Sequence, residues 1–173
     1  TADNYRFLCQ TVYHDSGIVL DDSKSYLVEA RLLPVAKSEG ATSLDALCNL
    51  IRATNGHRVR NKVVEAMTTN ETLFFRDVSP FDALRTALIP EIREALGFKR
   101  PLRIWSAACS SGQEAYSIAM LWLEMGFHAR ELDIRGTDLS EEMLAKAAEG
   151  RFLQLEVNRG LPAKYLVKYF TRQ

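Results

Sequence analysis

Leu102-Arg103-Ile104-Trp105-Ser106-Ala107-Ala108-Cys109-Ser110-Ser111-Gly112 is the stretch whose reading decides the fold. Its first four residues make a short strand candidate, and the next seven are all small. A helical pattern follows at once, with Ala115, Ile118, Ala119, Leu121, Trp122 and Met125 apolar and Gly126 at its end. Leu132–Thr137 is a second strand candidate ending at Asp138, and Ser140 caps a further helix over 141–149, closed by Gly150. Strand, helix, strand, helix in this order predicts an α/β unit with parallel strands and a right-handed crossover.

Upstream the grammar is helical. Tyr5, Leu8, Cys9 and Val12 share one helix face, and Gly17 stops that helix. A second pattern opens near Asp22 and Ser23 with Tyr26, Leu27, Ala30 and Leu33 on one side. Pro34 is expected to kink or end it, because it removes a backbone donor and crowds the previous turn. Ser43 caps a third helix carrying Leu44, Leu47, Cys48 and Ile51, and a fourth turns Val59, Val63, Ala66 and Met67 inward. Four short amphipathic helices predict a small bundle over 1–67. Residues 68–100 then form a connecting loop and a helix with Ser79 as N-cap and Pro80 at its first position. That helix carries Phe81, Leu84 and Leu88, bends at Pro90 and stops by Gly97. A boundary is expected near 97–101, with the α/β part over 101–173.

The 173 residues carry 22 basic and 22 acidic side chains, with 47% hydrophobic and 25% charged. That length allows one ordinary domain or two small ones, and the balance excludes disorder, collagen-like fibre and coiled coil for the whole. A formal charge of zero gives no bulk pull toward nucleic acid or anionic membrane. No apolar run approaches the ~20 residues of a membrane span. Cys9, Cys48 and Cys109 contain no C-x-x-C pair, which points to reduced thiols in a cytoplasmic protein. His14, His57 and His128 are isolated, so no metal site is expected. The polar start Thr1-Ala2-Asp3-Asn4 has no signal-peptide core and no initiator Met, which reads as trimming.

In open α/β sheets ligands sit at the carboxyl ends of strands, where a tight turn enters a helix. Small side chains there let a ligand approach the backbone; equally, they let strand and helix pack closely. The single Gly112 does not make the G-x-G-x-x-G fingerprint, so no phosphate cradle is supported and a nicotinamide-dependent dehydrogenase is disfavoured. Asp138 lies about 26 residues beyond Gly112, comparable to the ~20-residue offset at which a carboxylate meets ribose hydroxyls. The competing role for Asp138 is capping the helix that begins near Ser140. Turn and acid together favour a nucleoside-containing ligand.

Three motifs make the chain similar to a known family. Thr68-Thr69-Asn70-Glu71-Thr72-Leu73-Phe74-Phe75-Arg76 resembles the T-T-N-x-T-x-F-F-R signature of the CheR family, the chemotaxis receptor methyltransferases. Ile104 to Ser117 resembles its W-S-A-x-x-S-x-G-E-E-P-Y-S stretch, and Gly136-Thr137-Asp138-Leu139-Ser140 its second-strand acidic motif. Gly150-Arg151-Phe152 and Lys168-Tyr169-Phe170 also fit. The resemblance implies an N-terminal helical bundle followed by the start of a class I, Rossmann-like methyltransferase domain that uses S-adenosyl-L-methionine and releases S-adenosyl-L-homocysteine. It implies methyl esterification of glutamate side chains on the cytoplasmic domain of chemoreceptors. By position, Asn70, Thr72, Arg76, Glu114 and Asp138 match cofactor-contacting residues, Asp138 as the ribose carboxylate. Arg76 is placed near the methyl group as the catalytic residue, where it orients the substrate carboxylate or holds cofactor and loop; the competing role is a structural salt bridge. Gln113 and Ala115 depart from the family's Glu and Pro.

A substrate carboxylate with a pKa of about 4.3 is already ionised at neutral pH, so the chemistry asks for positioning and water removal rather than a general base. The resemblance implies about seven strands, of which this chain supplies the first two. An N-L-L segment, a C-R-N stretch and a small β subdomain of some members are absent. A sheet so shortened is expected to have an unpaired edge, to need a partner chain or swap that completes it, or to lack activity alone. Arg58, Arg60 and Lys62 read as a solvated helix face, with receptor docking as the lesser option. Phe74 and Phe75 read as core anchors, and Tyr116 as ordinary helix packing. The rival function is a non-catalytic signalling module that binds a receptor or a regulator protein through the same fold. Any membrane association is expected to run through the receptor.

Overall fold

The computed structural model describes residues 1–96 and 100–173. They form two compact units, Thr1–Thr69 and Asn70–Gln173. Of the linker expected at 97–101, residues 97–99 lie outside the described residues.

The first unit is helical. It comprises α1 (Ala2–Ser16), a 3-10 turn at Asp22–Lys24, α2 (Ser25–Ser38), α3 (Leu44–Arg52) and α4 (His57–Met67). The Thr1 side chain accepts from Asn4 N at the start of α1, and Gly17, at φ 73°, closes it by donating to Tyr13 O. Ser43 caps α3 by accepting from Ala46 N. The core is formed by Leu8 and Val12 from α1, Val28 and Leu32 from α2, Leu47 and Cys48 from α3 and Val63 from α4.

One expectation for α2 is corrected and one of the two alternatives at Pro34 is removed. The buried stripe is Val28, Leu32 and Ala36, whereas Tyr26 is 71% exposed and Ala30 also faces solvent. Apolar residues cover a broad arc of this helix, so its rotation is set by α3 and α4 rather than by its own periodicity. Nor does Pro34 end the helix, which runs on to Ser38. Burial of Leu32 and Ala36 on either side offsets the lost backbone bond.

The basic residues of α4 are held within the unit. Arg58 and Lys62 both pair with Glu39, and Arg60 forks onto Asp15. The Arg60 hydrogen bond holds the Asp15 carboxyl down to about 2, from 3.8. A depressed acid stabilises the fold above its unfolded pKa and loses that contribution as pH falls through the folded one. Asp15→Asn is therefore expected to lower the stability of this unit at neutral pH. The gap from the parent protein should close between pH 4 and pH 2 ( places the unfolded value near 3.9). Urea unfolding at a series of pH values checks this; a gap independent of pH rejects it.

In the second unit a continuous helix is built from α5 (Val78–Ala83), a π-turn (Leu84–Leu88) and α6 (Ile89–Leu96). It begins at Val78 rather than after Ser79, with Asp77 as N-cap at φ 56° and no side-chain cap bond. The π-turn corrects the expected placing of Leu88 on the apolar face. Pro90 has no N–H to continue the ladder, and just before it Ile89 N donates five residues back to Leu84 O. The extra residue shifts the helix phase by one, so Phe81 and Ile89 are buried while Leu88 is 46% exposed.

Then follow β1 (Leu102–Ala107), α7 (Gln113–Glu124), a 3-10 turn (Ala129–Glu131), β2 (Leu132–Thr137), α8 (Glu141–Glu149), α9 (Gln154–Val157) and α10 (Ala163–Tyr169). The strands are parallel, in register from Leu102 opposite Leu132 to Ala107 opposite Thr137. β1 is two residues longer than its sequence candidate. Ile104 packs with Ile118 and Leu121 of α7, whereas Trp105 on the opposite face is 71% exposed. Among the described residues the sheet has two strands. Arg93, buried in α6, donates to Glu131 (2.7 Å) and Arg100 O (3.0 Å) and lies against the rings of Trp122 and Phe127. No helix of the described residues is long and apolar enough to cross a membrane.

Candidate functional site

The polar centre of the second unit lies at the carboxyl end of β1. Here the chain makes the small-residue turn, with Ala108 at φ 56°, Ser110 at φ 49° and Gly112 at φ 91°. Alternation of left-handed residues turns successive peptides sharply, so the chain leaves the strand direction here. Ser110 N donates to Asp138 Oδ2 at 2.7 Å, and Cys109 N donates to Thr137 O at 3.0 Å. The other carboxylate oxygen, Asp138 Oδ1, accepts from Ser140 N at 2.9 Å, just ahead of the α8 cap that Ser140 Oγ makes to Met143 N. Asp138 therefore locks the first turn to the end of β2. Each of its oxygens keeps a second acceptor lone pair.

Segment 70–76 reaches the same turn. Ser110 Oγ donates to Asn70 O at 2.7 Å, and Phe75 N donates to Ser117 Oγ at 2.9 Å. Phe74 is fully buried against Phe152 (4.9 Å between centroids) and Phe170 (5.8 Å). Phe75 packs at a tilt against Phe81 and Tyr165. Both rings thus anchor the segment in the core and leave its polar side chains at the surface. Thr72 is half-buried, and Arg76 is exposed. Arg76 Nη1 donates to Glu71 O at 3.3 Å, and its ion pair, at 3.9 Å, is with the adjacent Asp77.

Glu114, in the first turn of α7, accepts from the buried Ser106 Oγ at 2.7 Å. Gln113 is 2% exposed and accepts from Ser111 Oγ at 2.8 Å. A neutral amide there avoids the desolvation that a buried carboxylate would incur. Burial pushes the Cys109 thiol up, with the Asp138 charge adding to it, so this thiol stays protonated at neutral pH and is no nucleophile. No metal-binding cluster occurs among the described residues.

Asn70, Ser110 and Asp138 thus belong to one hydrogen-bonded assembly, Glu114 stands on the adjoining helix turn, and Arg76 lies at the far end of the anchored segment. A cavity of about 380 Å³ adjoins the turn, lined by Cys109 and Gly112 of the turn itself, Tyr116 of α7, Gly136 of β2 and Leu144 and Ala147 of α8. None of the five candidate residues lines it. Sequence reasoning passed over Ser110 and Ser117.

The chain belongs to the CheR methyltransferase family. Residues 70–173 match the family described as CheR methyltransferase, SAM binding domain, and residues 3–68 match CheR methyltransferase, all-alpha domain. The chain is 45% identical over 159 residues to chemotaxis protein methyltransferase 1 of Pseudomonas aeruginosa, covering 89% of this chain and 57% of that protein. It is 44% identical over 161 residues to a chemotaxis protein methyltransferase of Vibrio parahaemolyticus, covering 91% and 58%. A chemotaxis protein methyltransferase of Borreliella burgdorferi is 32% identical over 177 residues, covering 99% and 62%. The chain thus spans about 60% of the length of these relatives.

Proposed function

We propose that the protein carrying this chain transfers a methyl group from S-adenosylmethionine to glutamate side chains of a chemoreceptor's cytoplasmic domain. The observation that carries the reading is the convergence of the 70–76 segment, the β1–α7 turn and Asp138 on one assembly joined at Ser110. The group, when bound, supplies an electrophilic methyl on a sulfonium. The residues present fit it. The half-buried Asp138 carboxylate is fixed by two backbone donors and keeps lone pairs for two ribose hydroxyls. Glu114, fixed by Ser106, is a second oriented acceptor, suited to a cationic amine.

Asn70 and Thr72 contribute polar side chains from a segment that cannot shift without withdrawing Phe74 from its aromatic cluster. Arg76 is exposed and committed only to weak local contacts. Its guanidinium is free to turn and orient an incoming carboxylate by paired hydrogen bonds. No general base is needed, because the acceptor arrives ionised. The chain's work is therefore orientation and exclusion of water.

The test uses a full-length form, as long as the matched relatives, that carries these residues, together with receptor and methyl-labelled cofactor. Label released as methanol by mild base identifies a carboxyl ester; base-stable label rejects glutamate as acceptor. The rival signalling module predicts no heat on titration with S-adenosylhomocysteine.

A further inference from the structure

We propose that Ser110 and Ser117 are positioning residues, two pins that hold the ends of segment 70–75 in register with Asp138. The proposal rests on the reading that this segment and Asp138 share one cofactor. Ser110 sits at φ 49°, where an L-residue is strained and glycine is the easy choice. What serine adds is a hydroxyl, and that hydroxyl donates to Asn70 O at 2.7 Å while the same residue's N–H donates to Asp138 Oδ2 at 2.7 Å. One residue therefore ties together two segments that come 40 positions before it and 28 after it.

Ser117 does the matching work at the other end. Its side chain is completely buried, beside Ile118 and Leu121 in a helix that is otherwise largely apolar on this face. A buried hydroxyl is unfavourable unless both its roles are used. Here it donates to Gln113 O at 2.6 Å, one helical turn back, and accepts from Phe75 N at 2.9 Å. Phe75 is at φ 50°, outside any helix or strand, so Ser117 is what satisfies its amide. Between the pins lies Thr72, and Arg76 follows the second pin directly. The spacing of Asn70, Thr72 and Arg76 from Asp138 is thereby set by two hydroxyls rather than by the residues that touch the ligand.

The experiment compares Ser110→Ala, Ser110→Gly, Ser117→Ala and Asp138→Ala in the full-length form described above. Three readouts are taken: S-adenosylhomocysteine calorimetry, thermal midpoint, and hydrogen exchange of the 70–76 amides. Loss of one pin is expected to weaken binding about 5-fold to 10-fold, the scale of one hydrogen bond (). Ser110→Gly should weaken it as much as Ser110→Ala although glycine relieves the backbone, and Ser117→Ala should speed exchange at Phe75 selectively. If Ser110→Gly binds like the parent, or if both alanine pin variants bind within 2-fold while Asp138→Ala loses binding, the pins are overturned and the cofactor reading stands. If the parent protein gives no heat, the cofactor reading fails and the proposal falls with it. A uniform rise in exchange across the second unit, with a matching fall in midpoint, assigns the serines to general stability and also overturns it.

Discussion

Gly160→Ala is expected to be the most destabilising single-methyl change in the second unit. At φ 91° any side chain is strained, by about 1–2 kcal/mol for an L-residue in left-handed backbone. The larger part is contact. A Cβ on Gly160 would stand 2.1 Å from Phe74 O and 3.2 Å from Phe74 C. Both are backbone atoms, so no rotamer change relieves the overlap. Either the 158–162 loop lifts, or the 70–76 segment retreats and draws Phe74 away from Phe152 and Phe170. Overpacking of this kind costs roughly 1–3 kcal/mol on top of the strain (). The sum, ~2–5 kcal/mol, is a large part of the 5–15 kcal/mol typical of a domain (). Gly126→Ala is the control, since Gly126 has φ 86° but nothing within 4 Å of its missing Cβ. It should lose only the strain. Urea unfolding of both variants separates contact from conformation; equal losses would reject the close approach of the two loops.

That contact also shows where sequence reading stops. The β1–turn–α7–β2 grammar was legible because each element announces itself locally, through alternation, small residues, caps and glycine stops. The first-unit helices were legible for the same reason. What escaped were features set by a distant partner. The face α2 buries is chosen by α3 and α4, since its own apolar arc is too wide to choose. The phase slip at Leu88 needs the π-turn, which follows from Pro90 only once Phe81 and Ile89 must both face the core. At the candidate site, Asn70, Glu114 and Asp138 stood out through motif and offset. The hydroxyls that join them did not, because a serine among serines carries no signal until its partner 40 residues away is known.

Asp138→Ala is expected to have the largest effect on ligand binding, and its stability cost can be read separately. In the folded chain each carboxylate oxygen accepts one backbone N–H, from Ser110 and from Ser140. Removing the carboxylate strands both donors, a cost of about 1–3 kcal/mol where such groups are buried (). The α8 cap itself survives, because Ser140 Oγ still accepts from Met143 N. Binding should suffer more than folding. Two hydrogen bonds from ribose hydroxyls to a charged acceptor are worth about 1.5–3 kcal/mol each (). Their joint loss corresponds to a weakening of more than 100-fold (). Asp138→Asn sharpens the test: the amide keeps one acceptor oxygen but sets an NH2 group against either Ser110 N or Ser140 N. Its stability should fall close to that of the alanine variant, with binding still far below the parent. Calorimetry with S-adenosylhomocysteine beside thermal unfolding gives both numbers. A folded Asp138→Ala protein that binds within 3-fold of the parent would confine Asp138 to bracing the turn against α8.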